Sequence, residues 1–170
     1  MSLNIDRPKI KVPFESIDII MESISIVLIF LMWLYLLTEY PNLPETVASH
    51  FNIKGEPDAY NDKTFILLLP SIATLTYFGL FILNRYPHIH NYMVNITPSN
   101  ALKNYRFSTR IVRIVNTLSM IMFFYITFHI INSAKGKVLT LGNWFLPIVI
   151  GVSIILPIFI IIYFRKINKT

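Results

Sequence analysis

The stretch IIMESISIVLIFLMWLYLL (Ile19–Leu37) decides the class of this chain. It is almost unbroken in apolar character and has the length of a bilayer crossing. About 20 helical residues, rising 1.5 Å each, cover a hydrocarbon core of about 30 Å. Three more stretches of this kind follow, over Phe65–Leu83, Ile114–Ile131 and Trp144–Phe164. Hydrophobic residues make up 54% of the chain and the mean hydropathy is +0.57. Helices of a soluble domain need a polar face, and these segments have too few polar residues to supply one. The expectation is an all-α integral membrane four-helix bundle. It forms a single domain over 1–170, with spans at about 19–37, 65–83, 114–131 and 144–164. An outer loop lies at 40–64 and an inner loop at 84–110. These connections are too short to enclose a core of their own.

Composition removes several functions. There is no cysteine, which excludes disulfides, thiolate metal sites and cysteine nucleophiles. The net charge of +6 sits mostly beside the spans, where it orients the chain and meets anionic lipid headgroups. No aromatic-basic module is available to read bases, so nucleic acid is not an expected partner. The first span has a basic lead, but its apolar run is longer than a signal-peptide core. Thr38-Glu39-Tyr40-Pro41 also lacks a small-x-small cleavage site, so an uncleaved signal anchor is expected.

The cations sort by connection. Eleven of the fifteen Lys and Arg lie in the N-terminal arm, the second connection with its lead into span three, and the C-terminal tail. Lys54, Lys63, Lys135 and Lys137 lie on the other side. The positive-inside rule places both termini in the cytoplasm and residues 40–64 and 132–143 outside.

Local signals set the helix ends. An extended arm over residues 1–16 gives way to a helix near Phe14. Ser23 and Ser25 are small enough to allow close helix approach. Pro70 interrupts span two, where Ser71, Thr74 and Thr76 are placed to satisfy freed backbone groups. Thr97-Pro98 reads as N-cap and first helical position of a helix that runs into span three. Gly136 reads as its stop. Pro147, Gly151 and Pro157 predict a kink in span four. No internal repeat supports an inverted-repeat transporter.

The outer connection PNLPETVASHFNIKGEPDAYNDK (41–63) holds the most distinctive residues. Gly55-Glu56-Pro57-Asp58 is turn chemistry, and Val47–Phe51 is open to a short strand. One reading is a compact cap with Phe51 and Tyr60 packed on the helix ends. The other is a ligand or partner site built from His50, Phe51, Asn52, Gly55, Pro57, Asp58, Tyr60 and Lys63. His50 and Asp58, with His129 as a third, are weak candidates for metal binding. They fall short of a full ligand set, so neither metal nor cofactor is expected. His88 and His90 are assigned to the inner side, away from these, and read as an interfacial loop.

Two charge stripes face the inner end. Glu15, Asp18 and Glu22 recur at i, i+3, i+7 on the first helix, and Arg106, Arg110 and Arg113 at i, i+4, i+7 on the third. Charges at membrane depth are costly unless paired or interfacial. The stripes either face each other and lock the inner end, or the arginines bind lipid phosphate and the acids stay hydrated. Compensating reversals at Arg110 and Glu22 test the first alternative. No catalytic group is expected: Glu22 and His129 lie at opposite ends, and there is no nucleophile elbow or phosphate loop.

The loop pattern, Leu43-Pro44, then His50-Phe51-Asn52, then Gly55-x-Pro57-Asp58-x-Tyr60-x-x-Lys63, resembles a bacterial membrane domain of unknown function. That domain forms the N-terminal part of SdpI-like immunity proteins. Tyr86-Pro87-His88-Ile89-His90-Asn91-Tyr92, Ile96-Thr97 and Asn100-Ala101 resemble small stand-alone members, so the likeness covers about residues 25–130. It implies a multi-pass protein of the bacterial cytoplasmic membrane with the motif outside. It also points toward protection from, or sensing of, a secreted toxic peptide.

The expected function is therefore non-enzymatic: a binding, immunity or sensing module whose outer loop meets a secreted peptide, an envelope protein or lipid. The alternative is a small transporter or channel subunit acting as an oligomer.

Overall fold

The structure, a computed structural model, describes residues 7–137 and 140–169. The beginning of the expected arm, residues 1–6, lies outside the described residues. Four helices carry the fold: α1 (Ser16–Glu39), α2 (Leu68–Leu83), α3 (Ala101–Ala134) and α4 (Phe145–Ile167). Each is long and apolar enough, with its flanking turns, to cross a membrane. The all-α expectation needs one correction. Strands β1 (Thr46–Phe51) and β2 (Pro57–Asp62) form an antiparallel hairpin between α1 and α2. Thr46 lies opposite Asp62 and Phe51 opposite Pro57, and the register shifts around His50.

The exposed surface is the greasy one. Phe30, Leu75 and Ile155 are each more than 60% exposed, whereas Asp18, Asn104, Thr109, Arg113, Asn116 and Thr127 are buried. Lipid replaces water around such a surface, so apolar side chains gain little by leaving it. Close packing, hydrogen bonds and ion pairs between helices must hold the bundle instead.

Helix α1 buries one stripe: Asp18, Met21, Glu22, Ser25, Met32 and Leu36. That stripe packs on α3, and α2 adds Ala73 and Tyr77. Ser25 Oγ lies 3.0 Å from Thr117 Oγ1, so the small residue does permit close approach, while Ser23 is exposed on the opposite face. Pro70 lies in the first turn of α2, and two of the three expected hydroxyls donate to backbone beside it, though not to the carbonyl of Ile66 that a proline at 70 leaves free. Ser71 Oγ donates to Leu67 O (2.8 Å) and Thr74 Oγ1 to Pro70 O (2.7 Å). Trp33 Nε1 donates across to Thr74 Oγ1 (3.1 Å).

Helix α3 begins later than Thr97-Pro98 suggests. Thr97 opens a turn, its carbonyl accepting from Ala101 N (2.9 Å), and Asn100 is the N-cap. At the far end Gly136 takes φ +72°, and Lys137 N donates to Asn132 O (2.9 Å). This is the left-handed stop that closes orphan carbonyls. The 34 residues of α3 would extend about 51 Å, well beyond a bilayer core.

Helix α4 departs from the four-helix bundle expectation. Only Phe164 along it is buried. It touches α3 through end contacts, Tyr125 with Phe145 (ring centroids 5.3 Å) and Phe107 with Tyr163 (5.1 Å). The interior is thus a three-helix core with α4 held at its two ends. Pro157 lies inside α4, which continues as one helix through it.

The elements define two ends. At one, Tyr105 Oη donates to Pro8 O (3.0 Å) and Lys103 Nζ to Ile167 O (2.9 Å), bringing the arm, the start of α3 and the end of α4 together. At the other, Leu141 N donates to Gly55 O (2.7 Å), joining the hairpin to the α3–α4 connection.

Candidate functional site

The two charge stripes meet. Glu15 caps α1, and its backbone N–H is taken by Asp18 Oδ2 (2.9 Å), which fixes both acids at the helix entrance. Arg110 Nη2 donates to Glu15 Oε2 (2.6 Å), and Arg110 Nε lies 3.4 Å from Asp18 Oδ1. Arg113 reaches deeper, with Nη1 3.3 Å from Asp18 and Nε 3.1 Å from Glu22 Oε1. Arg106 Nε sits 3.0 Å from Glu15 Oε1, off the N–H axis, so this is an ion-pair contact without a hydrogen bond. The register differs from an Arg110–Glu22 match: Arg113 is the partner of Glu22, and Arg110 serves the turn above.

The ladder continues into side chains that hydropathy does not single out as partners. Tyr77 Oη donates to Glu22 Oε2 (3.0 Å), Asn116 Nδ2 donates to Tyr77 O (3.3 Å), and Phe14 lies under the Arg113 guanidinium (4.4 Å). Three helices are tied through one carboxylate. Three acids against three arginines leave the cluster neutral, which is what a partly desolvated ladder needs. Arg110 and Arg113 direct donors to α1 rather than to lipid phosphate, whereas Arg106 gives α1 no hydrogen bond.

The hairpin residues divide into those that build and those that present. Asn52 builds: its Oδ1 accepts from Lys54 N (2.8 Å) and Glu56 N (3.1 Å), and its Nδ2 donates to Glu56 Oε2 (3.0 Å). Gly55 is buried at φ +74°, and an added Cβ would lie 3.2 Å from Gly142 N and 3.3 Å from Gly142 O. Only glycine meets both demands. Phe51 packs on the cluster of Leu36, Leu43, Val47, Ile66, Ile130 and Ile131. Lys63 Nζ donates to Glu45 Oε1 (2.9 Å) over the Tyr40 ring. The Thr64 N–H on Asp62 Oδ1 (2.8 Å) holds that carboxyl below its ordinary range.

His50 and Asp58 present. Their Nδ1 and Oδ1 atoms are 2.5 Å apart on the solvent side of the two strands. Tyr60 is 62% exposed, against the compact-cap reading that packs it on the helix ends; every residue of β2 after Pro57 is exposed. Pro57 starts β2, where a missing N–H is tolerated. Ile53 at the tip is 81% exposed, a residue the motif did not single out.

His129 does not join them. Its Nδ1 lies 2.9 Å from Thr140 O, and its ring packs on Tyr125. Among the described residues no group of three or more His, Asp or Glu is placed to hold a metal ion.

The opposite end has its own clasp. Arg7 donates to His88 O (3.0 Å) and His90 O (2.6 Å) and covers the Tyr92 ring (5.3 Å). His90 is buried, with Nε2 on Leu83 O (3.2 Å) and Nδ1 on Ser108 Oγ (2.7 Å). A carbonyl only accepts, so Nε2 carries the proton and Nδ1 accepts from Ser108. Burial lowers the pKa of His90 and pushes Tyr92 up to about 12. Sequence alone marks His90 as polar but offers no cue to its burial.

Comparison with known proteins points to the hairpin region. The family described as "Domain of unknown function (DUF1648)" matches residues 27–74, which run from α1 through the hairpin into α2. A protein of Archaeoglobus fulgidus, described as "Uncharacterized protein", is 36% identical over 76 residues. The match takes in 40% of this chain and 42% of that protein, so the chain spans less than half of its relative's length. No solved structure matches. The chain is thus similar to a domain of unknown function and carries four membrane-capable helices.

Proposed function

We propose that this protein is a non-enzymatic module of the cytoplasmic membrane that uses its hairpin to bind a peptide or protein of the cell envelope. Both chain ends then face the cytoplasm, as the cation distribution favours. The observation that carries this reading is the contrast within the hairpin. Ile53 and Tyr60 stand exposed beyond the helix ends, beside the exposed His50–Asp58 pair, on a mount fixed by Gly55 and Leu141. Apolar side chains on the helices are covered by lipid, but those on the hairpin are not. Rigid apolar groups flanked by polar ones are what a partner surface offers.

An immunity or sensing role for a bacterial protein would follow if the partner is a secreted peptide, as the resemblance to SdpI-like proteins suggests. A transporter or channel subunit has less support, since the polar groups between the helices are largely taken up by one another.

The test is a photoactivatable residue placed at Ile53 in living cells. Crosslinks to a peptide or envelope protein, absent with the same group at the lipid-facing Leu75, are expected. Identical lipid-only products at both positions would contradict the proposal.

A further inference from the structure

Most cations at the arm end are already engaged. Arg106, Arg110 and Arg113 contact the acids of α1. Arg7 donates to loop carbonyls, Lys103 to Ile167 O, and Arg85 lies over the Phe81 ring (5.1 Å). Arg165 and Lys169 have no acidic partner among the described residues, yet both line one cleft of about 450 Å³. The rest of its wall is Met93, Val94, Phe164 and Asn168. Asn168 is occupied, its Nδ2 donating to Asn104 Oδ1 (2.9 Å) and Phe164 O (3.0 Å).

The cleft thus lies between the α2–α3 loop and the last turn of the apolar helix α4. Two like charges that line one cleft repel each other, and an anion between them relieves that repulsion. Arginine offers a fork that matches phosphate oxygens. Met93 is 65% exposed beside these cations, in the connection that follows the apolar helix α2. A soluble anion would have no use for this apolar wall.

We propose that the cleft between Met93–Val94 and the Phe164–Lys169 turn is a headgroup site for an anionic phospholipid. Arg165 and Lys169 hold the phosphate, and Met93, Val94 and Phe164 receive the glycerol and the start of an acyl chain. The bound lipid would pin the end of α4, a helix otherwise attached only through end contacts.

The test is native mass spectrometry of the full chain in detergent, titrated with phosphatidylglycerol or phosphatidylcholine. Wild type is expected to retain phosphatidylglycerol about tenfold more tightly or better, given two cations near a headgroup. The double variant R165Q/K169Q should lose that preference, and K9Q/K11Q, which removes two exposed cations of the arm, should keep it. Equal retention of both lipids by wild type, or an equal loss in K9Q/K11Q, would overturn the proposal. If R165Q/K169Q does not fold, M93D at an exposed wall position serves instead. A weaker preference for phosphatidylglycerol supports the site, and an unchanged one overturns it. Inorganic phosphate is the last arm. Failure to displace the lipid supports a phospholipid source, and full displacement at the lipid's own concentration would make free phosphate the ligand.

Discussion

Arg113 of α3 donates from Nε to Glu22 of α1 at 3.1 Å, and both side chains are buried. The same carboxylate accepts from Tyr77 of α2, so one pair joins the three core helices. Arg113→Met leaves Glu22 without a cation and Asp18 with Arg110 alone. Removing one partner of a buried pair costs about 3–5 kcal/mol, whereas replacing both with apolar groups is often neutral. The single variant should therefore lose folded yield and thermal stability, and R113M/E22M should recover most of both. Equal damage in the two variants would show that the pair does not act as a unit.

Gly55 predicts a second asymmetry. Gly55→Ala meets both a left-handed φ and the Gly142 backbone, so it should destabilise by about 1–2 kcal/mol or more. Proteolytic cleavage within 52–56 would rise as the hairpin loosens from Leu141. Gly79→Ala is the control: nothing lies within 4 Å of its Cβ, and it sits inside α2. There alanine should be neutral or stabilising by about 0.5–1 kcal/mol.

His90 makes stability depend on pH. Burial is the main cause of its lowered pKa, so the folded protein holds the ring neutral below 6.5, where the unfolded chain begins to take up a proton. The unfolded state then binds more protons, and stability falls as pH drops from about 6.5 toward the folded pKa. Above 6.5 the contribution is fully present. Melting curves of wild type and His90→Gln between pH 5 and 8 should differ in slope below about 6.5 and run parallel above it.

The hairpin pair separates binding from folding. His50 and Asp58 are exposed, and exposed ion pairs contribute little to stability. H50A and D58A should leave the melting temperature unchanged while reducing crosslinking from position 53. Loss of folded protein in either variant would make the pair structural instead.

The four helices were legible because bilayer crossing needs long apolar runs, and Ile19–Leu37 can serve little else. The start of α3 was legible to within a few residues: Thr97-Pro98 marks the turn that leads in, and the helix itself begins at Ala101 behind Asn100. The facing of the stripes could be posed from their spacing, but their register depends on how α1 and α3 cross. Strand β2, Pro57-Asp58-Ala59-Tyr60-Asn61-Asp62, carries residues that strands usually avoid. It forms because Asn52 closes the turn and Val47 and Ala48 anchor β1 beside it. The contact of Gly55 with Leu141 is 86 residues long in sequence and leaves no local trace. The exposure of Ile53 and the clasp on His90 are likewise products of tertiary packing.

The most direct test places single cysteines at Lys54, in the hairpin turn, and at Lys9, in the arm, in a chain that has no cysteine of its own. A membrane-impermeant maleimide should label position 54 in intact cells and position 9 only after the membrane is opened. Labelling of position 9 in intact cells, with position 54 protected until lysis, would contradict the proposed orientation and remove the hairpin from any envelope partner.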